Sequence, residues 1–83
     1  MKKRVERYGI VKADVMQDPD LSMNGKAVYA LLCTFANKER ECHPSIVHLS
    51  ELLCVSRRTV ERSMTELKKK DYVRKEGRIF KIR

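Results

Sequence analysis

Apolar positions recur every three to four residues along three stretches of this chain, and the pattern shortens near its end. Ala27, Val28, Leu31 and Phe35 fall on one face of a helix read over Met23–Asn37, with Ser22 as its N-cap. Ala30, Leu32 and Ala36 widen that stripe, which marks a central core helix. Leu32 sits near the edge of the stripe and is expected to face a partner. Pro44 and Ser45 open a second helix, Ile46 to Leu53, whose buried side is read as Leu49, Leu52 and Leu53. Cys54, Val55 and Ser56 interrupt the period, and Ser56 caps a third helix, Arg57 to Lys70. Val60, Met64 and Leu67 repeat there at i, i+4 and i+7. Ser63 shares their face and permits close helix approach.

Beyond Lys70 the residues turn β-prone. Tyr72–Lys75 and Ile79–Arg83 flank Glu76-Gly77-Arg78, and Gly77 supplies the positive φ of a hairpin turn. Asp18-Pro19-Asp20 reads as a turn, Lys38–Glu41 as a polar loop and Glu41-Cys42-His43 as a very short strand. Tyr8–Val11 is a short β-prone stretch packed on the body, and residues 1–7 form a basic arm. The predicted fold is mainly α with a small β-hairpin: one domain over 1–83, with helices at 22–37, 45–53 and 56–70 and a hairpin wing at 72–83. Helices this short are unstable alone, so the three must share one core.

The chain has 83 residues and a formal charge of +8, and the placement of that charge changes the picture. Residues 56–83 hold eleven Lys or Arg against four acids, whereas residues 20–55 hold three against four. A basic patch on one end of a small domain attracts a polyanion; nucleic acid, an anionic membrane surface and an acidic protein all fit. The third helix narrows the choice. At 100° per residue Arg58, Arg62, Thr65 and Lys69 align opposite Val60 and Leu67. A helix of this size fits the major groove, where arginine forks bond guanine edges. Arg57, Thr59 and Lys68 flank that stripe and suit phosphates, as does the helix N-terminus at Ser56. Ser45 at the start of the second helix and Arg74, Lys75 and Arg78 of the hairpin complete the expected DNA-binding set. Glu61 interrupts the positive field; it either reads a cytosine amine or pairs with Arg57 or Arg58.

Two helices joined by three residues, the second basic, followed by a hairpin, match a winged helix-turn-helix. Tyr8-Gly9-Ile10-Val11-Lys12, Val15-Met16 with Asp18, Leu21-Ser22, Lys26-Ala27 with Tyr29-Ala30 and Leu32-Cys33, Pro44-Ser45, and Leu49 through Val55-Ser56-Arg57-Arg58-Thr59-Val60 carry a closer resemblance. Over residues 8–73 the chain resembles the N-terminal DNA-binding domain of phage and plasmid replication initiators and replisome organisers of bacteria, DnaD-like in part. The Ser-x-x-Thr-Val run is specific for fold and weak for biological role. That resemblance implies double-stranded DNA as partner and a role as transcriptional regulator or replication-initiation module. Where the family carries glycine this chain has Cys54 before the turn and Asp71 after the third helix, at positions that call for a left-handed backbone. A protein-interaction winged helix in a larger assembly is the alternative.

Other chemistry finds little support. Cys33, Cys42, His43, His48 and Cys54 have no paired-cysteine zinc spacing, so no metal or other cofactor is expected. Neither a carboxylate pair nor a glycine-rich phosphate loop occurs, and capping accounts for Ser45 and Ser56, so an enzyme and a small-molecule substrate are not expected. No apolar run approaches the roughly 20 residues of a membrane span. Met1-Lys2-Lys3-Arg4 is not followed by an apolar signal core, and three cysteines without a framework fit a reducing compartment, so a cytoplasmic location is expected. One such domain covers little DNA, so a homodimer is expected, through Tyr29 and Leu32 of the first helix or through Val5 and Tyr8 of the arm.

Overall fold

The computed structural model describes residues 8–83. Its elements follow the order α1 (Ala13–Met16), α2 (Met23–Phe35), β1 (Glu41–Cys42), α3 (Ile46–Leu53), α4 (Arg57–Lys69), β2 (Val73–Glu76) and β3 (Ile79–Ile82). The fold is a winged helix-turn-helix: helices on one side, and a three-stranded antiparallel sheet in the order β1-β3-β2 on the other. The basic arm and Val5 lie outside the described residues.

Three serines start the three long helices by the same device. Ser22, Ser45 and Ser56 each stand extended and accept the backbone N–H three residues on, from Gly25 at 3.0 Å, His48 at 3.1 Å and Thr59 at 3.1 Å. The C-termini differ. Cys54 ends α3 in the left-handed region, with φ 57° and ψ 40°. Asp71 follows α4 at φ 63°, and Gly77 turns the hairpin at φ 62°. Cys54 and Asp71 therefore hold the left-handed backbone expected at their positions, with a β-carbon carried there at some cost. Arg40 is also left-handed, at φ 61°, in a loop read from sequence only as polar.

The core is built from Val28, Tyr29, Leu32 and Cys33 of α2, Leu49 of α3, Val60, Met64 and Leu67 of α4, and Cys42, Val73, Phe80 and Ile82 of the sheet. Ser63 is buried as well, and its hydroxyl donates to the Thr59 carbonyl at 2.9 Å rather than to a partner helix. Register in the hairpin explains the alternation: Lys75 opposes Phe80 and Val73 opposes Ile82, so Phe80, Val73 and Ile82 share the inner face.

Two expectations are corrected. Tyr29 and Leu32 are each 0% exposed, so the first helix offers no dimer surface there. The helix is enclosed on more than one side, by α4 and α3 and by β1 and β3, and its broad apolar stripe is consumed by the fold. Leu52 is 50% exposed; Ser50 takes the inner place, its hydroxyl donating to the Val47 carbonyl at 2.8 Å. Residues 8–12 pack on the body as expected, lying against α2 as irregular chain with Ile10 exposed, and run into the single turn of α1. Gly9 approaches α2 so closely that a β-carbon would stand 2.4 Å from the Cys33 carbonyl oxygen.

Two polar clusters lock the framework. The Arg40 guanidinium donates to the Ile10 and Arg83 carbonyls, both at 2.6 Å. Tyr29 Oη accepts the Lys12 N–H and donates to the same Arg83 carbonyl, each at 3.1 Å. Burial pushes the Tyr29 hydroxyl's pKa up, so it stays a donor. On the other side Asp18 accepts the Tyr72 hydroxyl at 2.5 Å and Lys70 Nζ at 2.9 Å. Those partners, the Tyr72 hydroxyl first, hold the Asp18 carboxyl at about 2.

Candidate functional site

The outer face of α4 is the place to begin, because every side chain on it is free of the core. Arg57, Arg58, Glu61, Arg62, Thr65, Lys68 and Lys69 are all exposed, while Thr59 is half-buried and bridges its hydroxyl to Ser56 Oγ at 2.9 Å. The helix projects them in three directions. Arg58, Glu61, Arg62 and Thr65 line a shallow, solvent-open stretch of the outer face. Arg62 and Lys69 lean with Thr59 and Glu66 into a groove shared with Ser22 and Asn24 of α2. Glu61, Thr65 and Lys68 face a concavity closed by Ile46 at the start of α3 and by Lys75 and Phe80 of the hairpin. The aligned stripe read from sequence is thus one surface with two slopes, one towards α2 and one towards the wing.

Glu66 sets the pitch of α4, and sequence reasoning overlooked it. Its carboxylate takes the Ser22 hydroxyl at 2.6 Å and the Ser22 N–H at 3.0 Å, clamping α4 to the N-terminus of α2. A carboxylate at a helix N-terminus also favours the helix dipole. Gly25 makes room for it: a β-carbon there would stand 2.5 Å from Glu66 Oε1. The only signal in the sequence was an acid in an otherwise basic helix, one residue before the buried Leu67.

The hairpin divides its cations between two faces. Lys75 lies over the Phe80 ring at 5.7 Å and so stands on the α4 side. Arg74 lies on the other face, where its Nε and Nη2 donate to Asp71 at 3.0 and 3.1 Å. That bond lowers the Asp71 pKa and raises that of Arg74. Arg78 is exposed beside Gly77 at the tip, and Ser45 caps α3 next to Ile46. Ser45, Lys75 and Lys68 are therefore neighbours of the concavity, and Arg74 is not.

Pairing separates the basic residues of 56–83 into two groups. Lys70, Arg74, Lys81 and Arg83 are held in ion pairs, to Asp18, Asp71, Glu41 with Glu76, and Asp14. Among the described residues no carboxylate lies within ion-pair distance of Arg57, Arg58, Arg62, Lys68, Lys69, Lys75 or Arg78. These seven are the residues on α4, on the concave side of the wing and at its tip. A family model described as helix-turn-helix domain matches residues 20–73. This chain belongs to the helix-turn-helix domain family. No curated protein and no solved structure matches it.

The match spans the three long helices and stops at the first residue of β2, so the helix-turn-helix unit is α3, the Cys54–Ser56 turn and α4. Membership points to double-stranded DNA as a partner. It carries no indication of catalysis. No helix among the described residues is long and apolar enough to cross a membrane.

Proposed function

We propose that this protein binds double-stranded DNA with sequence specificity, placing α4 in the major groove. The observation that carries this is the sorting of cations: among the described residues, the seven of 56–83 without acidic partners belong to α4, to the α4-facing side of the wing and to its tip, and those beyond α4 that are paired include Arg74 and Lys81 of the wing's other face. Lone surface cations gain most from phosphates, because counterion release drives their binding. In this reading Arg58, Arg62 and Thr65 contact base edges. Arg57, Thr59, Lys68 and Lys69 contact the backbone beside them. Ser45 and Ser56 present helix N-termini to phosphates, and Lys75 and Arg78 track the backbone or adjacent minor groove. Arg74 serves the wing through Asp71 and contributes to DNA only through its net charge.

The biological role we assign is that of a transcriptional regulator or replication-initiation module of bacterial, phage or plasmid origin, working in the cytoplasm without cofactor or catalysis. The resemblance of residues 8–73 to replication-initiator domains supports it. Two copies on a palindromic site complete the proposal. With Tyr29 and Leu32 consumed by the core, the surface left for pairing is the exposed N-terminal segment around Tyr8.

Band-shift titrations on genomic and random duplexes at two salt concentrations test this. The affinity of the parent chain falls steeply with salt, by about 0.9 log units per log unit of salt for each phosphate contact. Arg58→Ala and Arg62→Ala each weaken specific binding by roughly 1–3 kcal/mol and leave the helical signal intact. Binding that ignores salt, or variants that bind as the parent does, refutes the assignment. The stoichiometry of the same titrations decides between one copy and two.

A further inference from the structure

We infer that Glu61 is a specificity-determining residue that reads the N4 amino group of a cytosine in the major groove. This rests on α4 being the DNA-facing helix.

Four acids lie in the basic third of the chain, and three have partners. Glu66 takes Ser22, Asp71 takes Arg74, and Glu76 lies 3.3 Å from Lys81 Nζ. The Glu61 carboxylate has no hydrogen-bond or ion-pair partner among the described residues, although unpaired cations surround it. It is exposed on the outer face beside Arg58, and it also lines the concavity with Lys68 and Lys75. Pairing with Arg57 or Arg58, one of the two roles open from sequence, is not what the fold shows.

A bare carboxylate at that spot is costly for a surface that only holds phosphates, since it repels every one of them. It suits a surface that reads bases. An ionised carboxylate accepts and never donates, so its major-groove targets are the amino groups of cytosine and adenine. Adenine sets its N7 acceptor beside the amino group and repels a second acceptor. Cytosine has no such neighbour on its own edge, and its partner guanine offers O6 and N7 to an arginine fork. Glu61 lies one turn from Arg58 on the same side of α4, so a C·G pair satisfies the acid and that arginine together. The Thr65 hydroxyl donates to the Glu61 carbonyl at 3.0 Å on the same outer face, so the two side chains stand one turn apart in a fixed order.

Site selection from a randomised duplex pool, with the full chain and with Glu61→Ala and Glu61→Gln, tests this. The parent chain selects cytosine at one position by on the order of tenfold or more. Glu61→Ala loses that preference at that position alone and binds random duplex several-fold more tightly, because a repelling charge is gone. Glu61→Gln moves the preference towards adenine, whose edge a carboxamide matches. A motif that Glu61→Ala leaves unchanged overturns the inference while DNA binding stands, and so does a motif that collapses at every position. A parent chain that shifts no duplex at low salt overturns both.

Discussion

Replacing Cys54 by glycine is expected to stabilise this protein, and the structure gives the size. Cys54 joins the two helices of the helix-turn-helix at φ 57° and ψ 40°, a conformation that costs a residue with a β-carbon about 1–2 kcal/mol. Glycine adopts it freely but loses more chain entropy on folding, by about 0.5–1 kcal/mol. The thiol offers little to offset the exchange: the residue is exposed, and among the described residues the thiol's one hydrogen bond is to the Glu51 carbonyl at 3.8 Å. The net gain is therefore about 0.5–1 kcal/mol, which raises the melting temperature of a domain this size by roughly 2–8 °C. Two neighbouring cases sharpen the argument. Asp71→Gly relieves the same backbone at φ 63° but removes the partner of Arg74, so its gain is smaller. Arg40→Gly relieves φ 61° but deletes the bonds to Ile10 and Arg83, so it destabilises by about 2 kcal/mol or more. Thermal and urea melts of the three glycine variants and of Cys54→Ala measure the series. Alanine keeps the β-carbon and is expected to gain nothing. An equal gain in Cys54→Ala, or a loss in Cys54→Gly, refutes the backbone explanation.

Two further outcomes follow. The Asp18 carboxyl sits at about 2 in the fold, below its ordinary range, so its contribution to stability is complete above about pH 4 and is lost as pH falls towards 2; Asp18→Asn flattens that acid limb in melts between pH 6 and 2, and an unchanged limb denies the pairing with Tyr72 and Lys70. Lys75→Ala lowers DNA affinity on all duplexes and reduces the salt slope by about one unit, whereas Arg74→Ala, whose charge is already matched by Asp71, changes the slope less; equal slopes for the two variants contradict the division of the wing.

Much of this fold is legible because its signals are local. Ser45 and Ser56 cap helices through a bond to a residue three positions on, and Val60, Met64 and Leu67 repeat within one helix. Gly77 needs only its own turn. What sequence reasoning lost depends on distant partners. Asp18 meets Lys70 and Tyr72 more than fifty positions away, and Glu66 meets Ser22 across 44. Leu32 reads as an edge residue on an isolated helix and is buried because the sheet and α4 cover different sides of α2. α1 escaped notice because it is a single turn with no side-chain cap and one buried residue, Val15. For the candidate site, the identities of the cations were plain but their pairing was not. Arg74 and Lys75 are adjacent in sequence, and only the strand's alternation sends one to Asp71 and the other to Phe80.

The strand order β1-β3-β2 dictates the sequence of events as the chain is made. β1 lies ahead of both helix-turn-helix helices, yet its partner is β3, with Glu41 opposite Lys81 and Cys42 opposite Phe80. The helices α2, α3 and α4 leave the ribosome before the strand that closes the sheet against α2. Arg40 and Tyr29 wait for the carbonyl of Arg83. Local helices form fast and non-local strand pairs form late, so the emerging chain passes through a helical stage with Val28, Leu32 and Met64 incompletely covered. A nascent chain arrested before Ile79 is the species most exposed to aggregation and proteolysis, and the emergence of β3 ends that exposure.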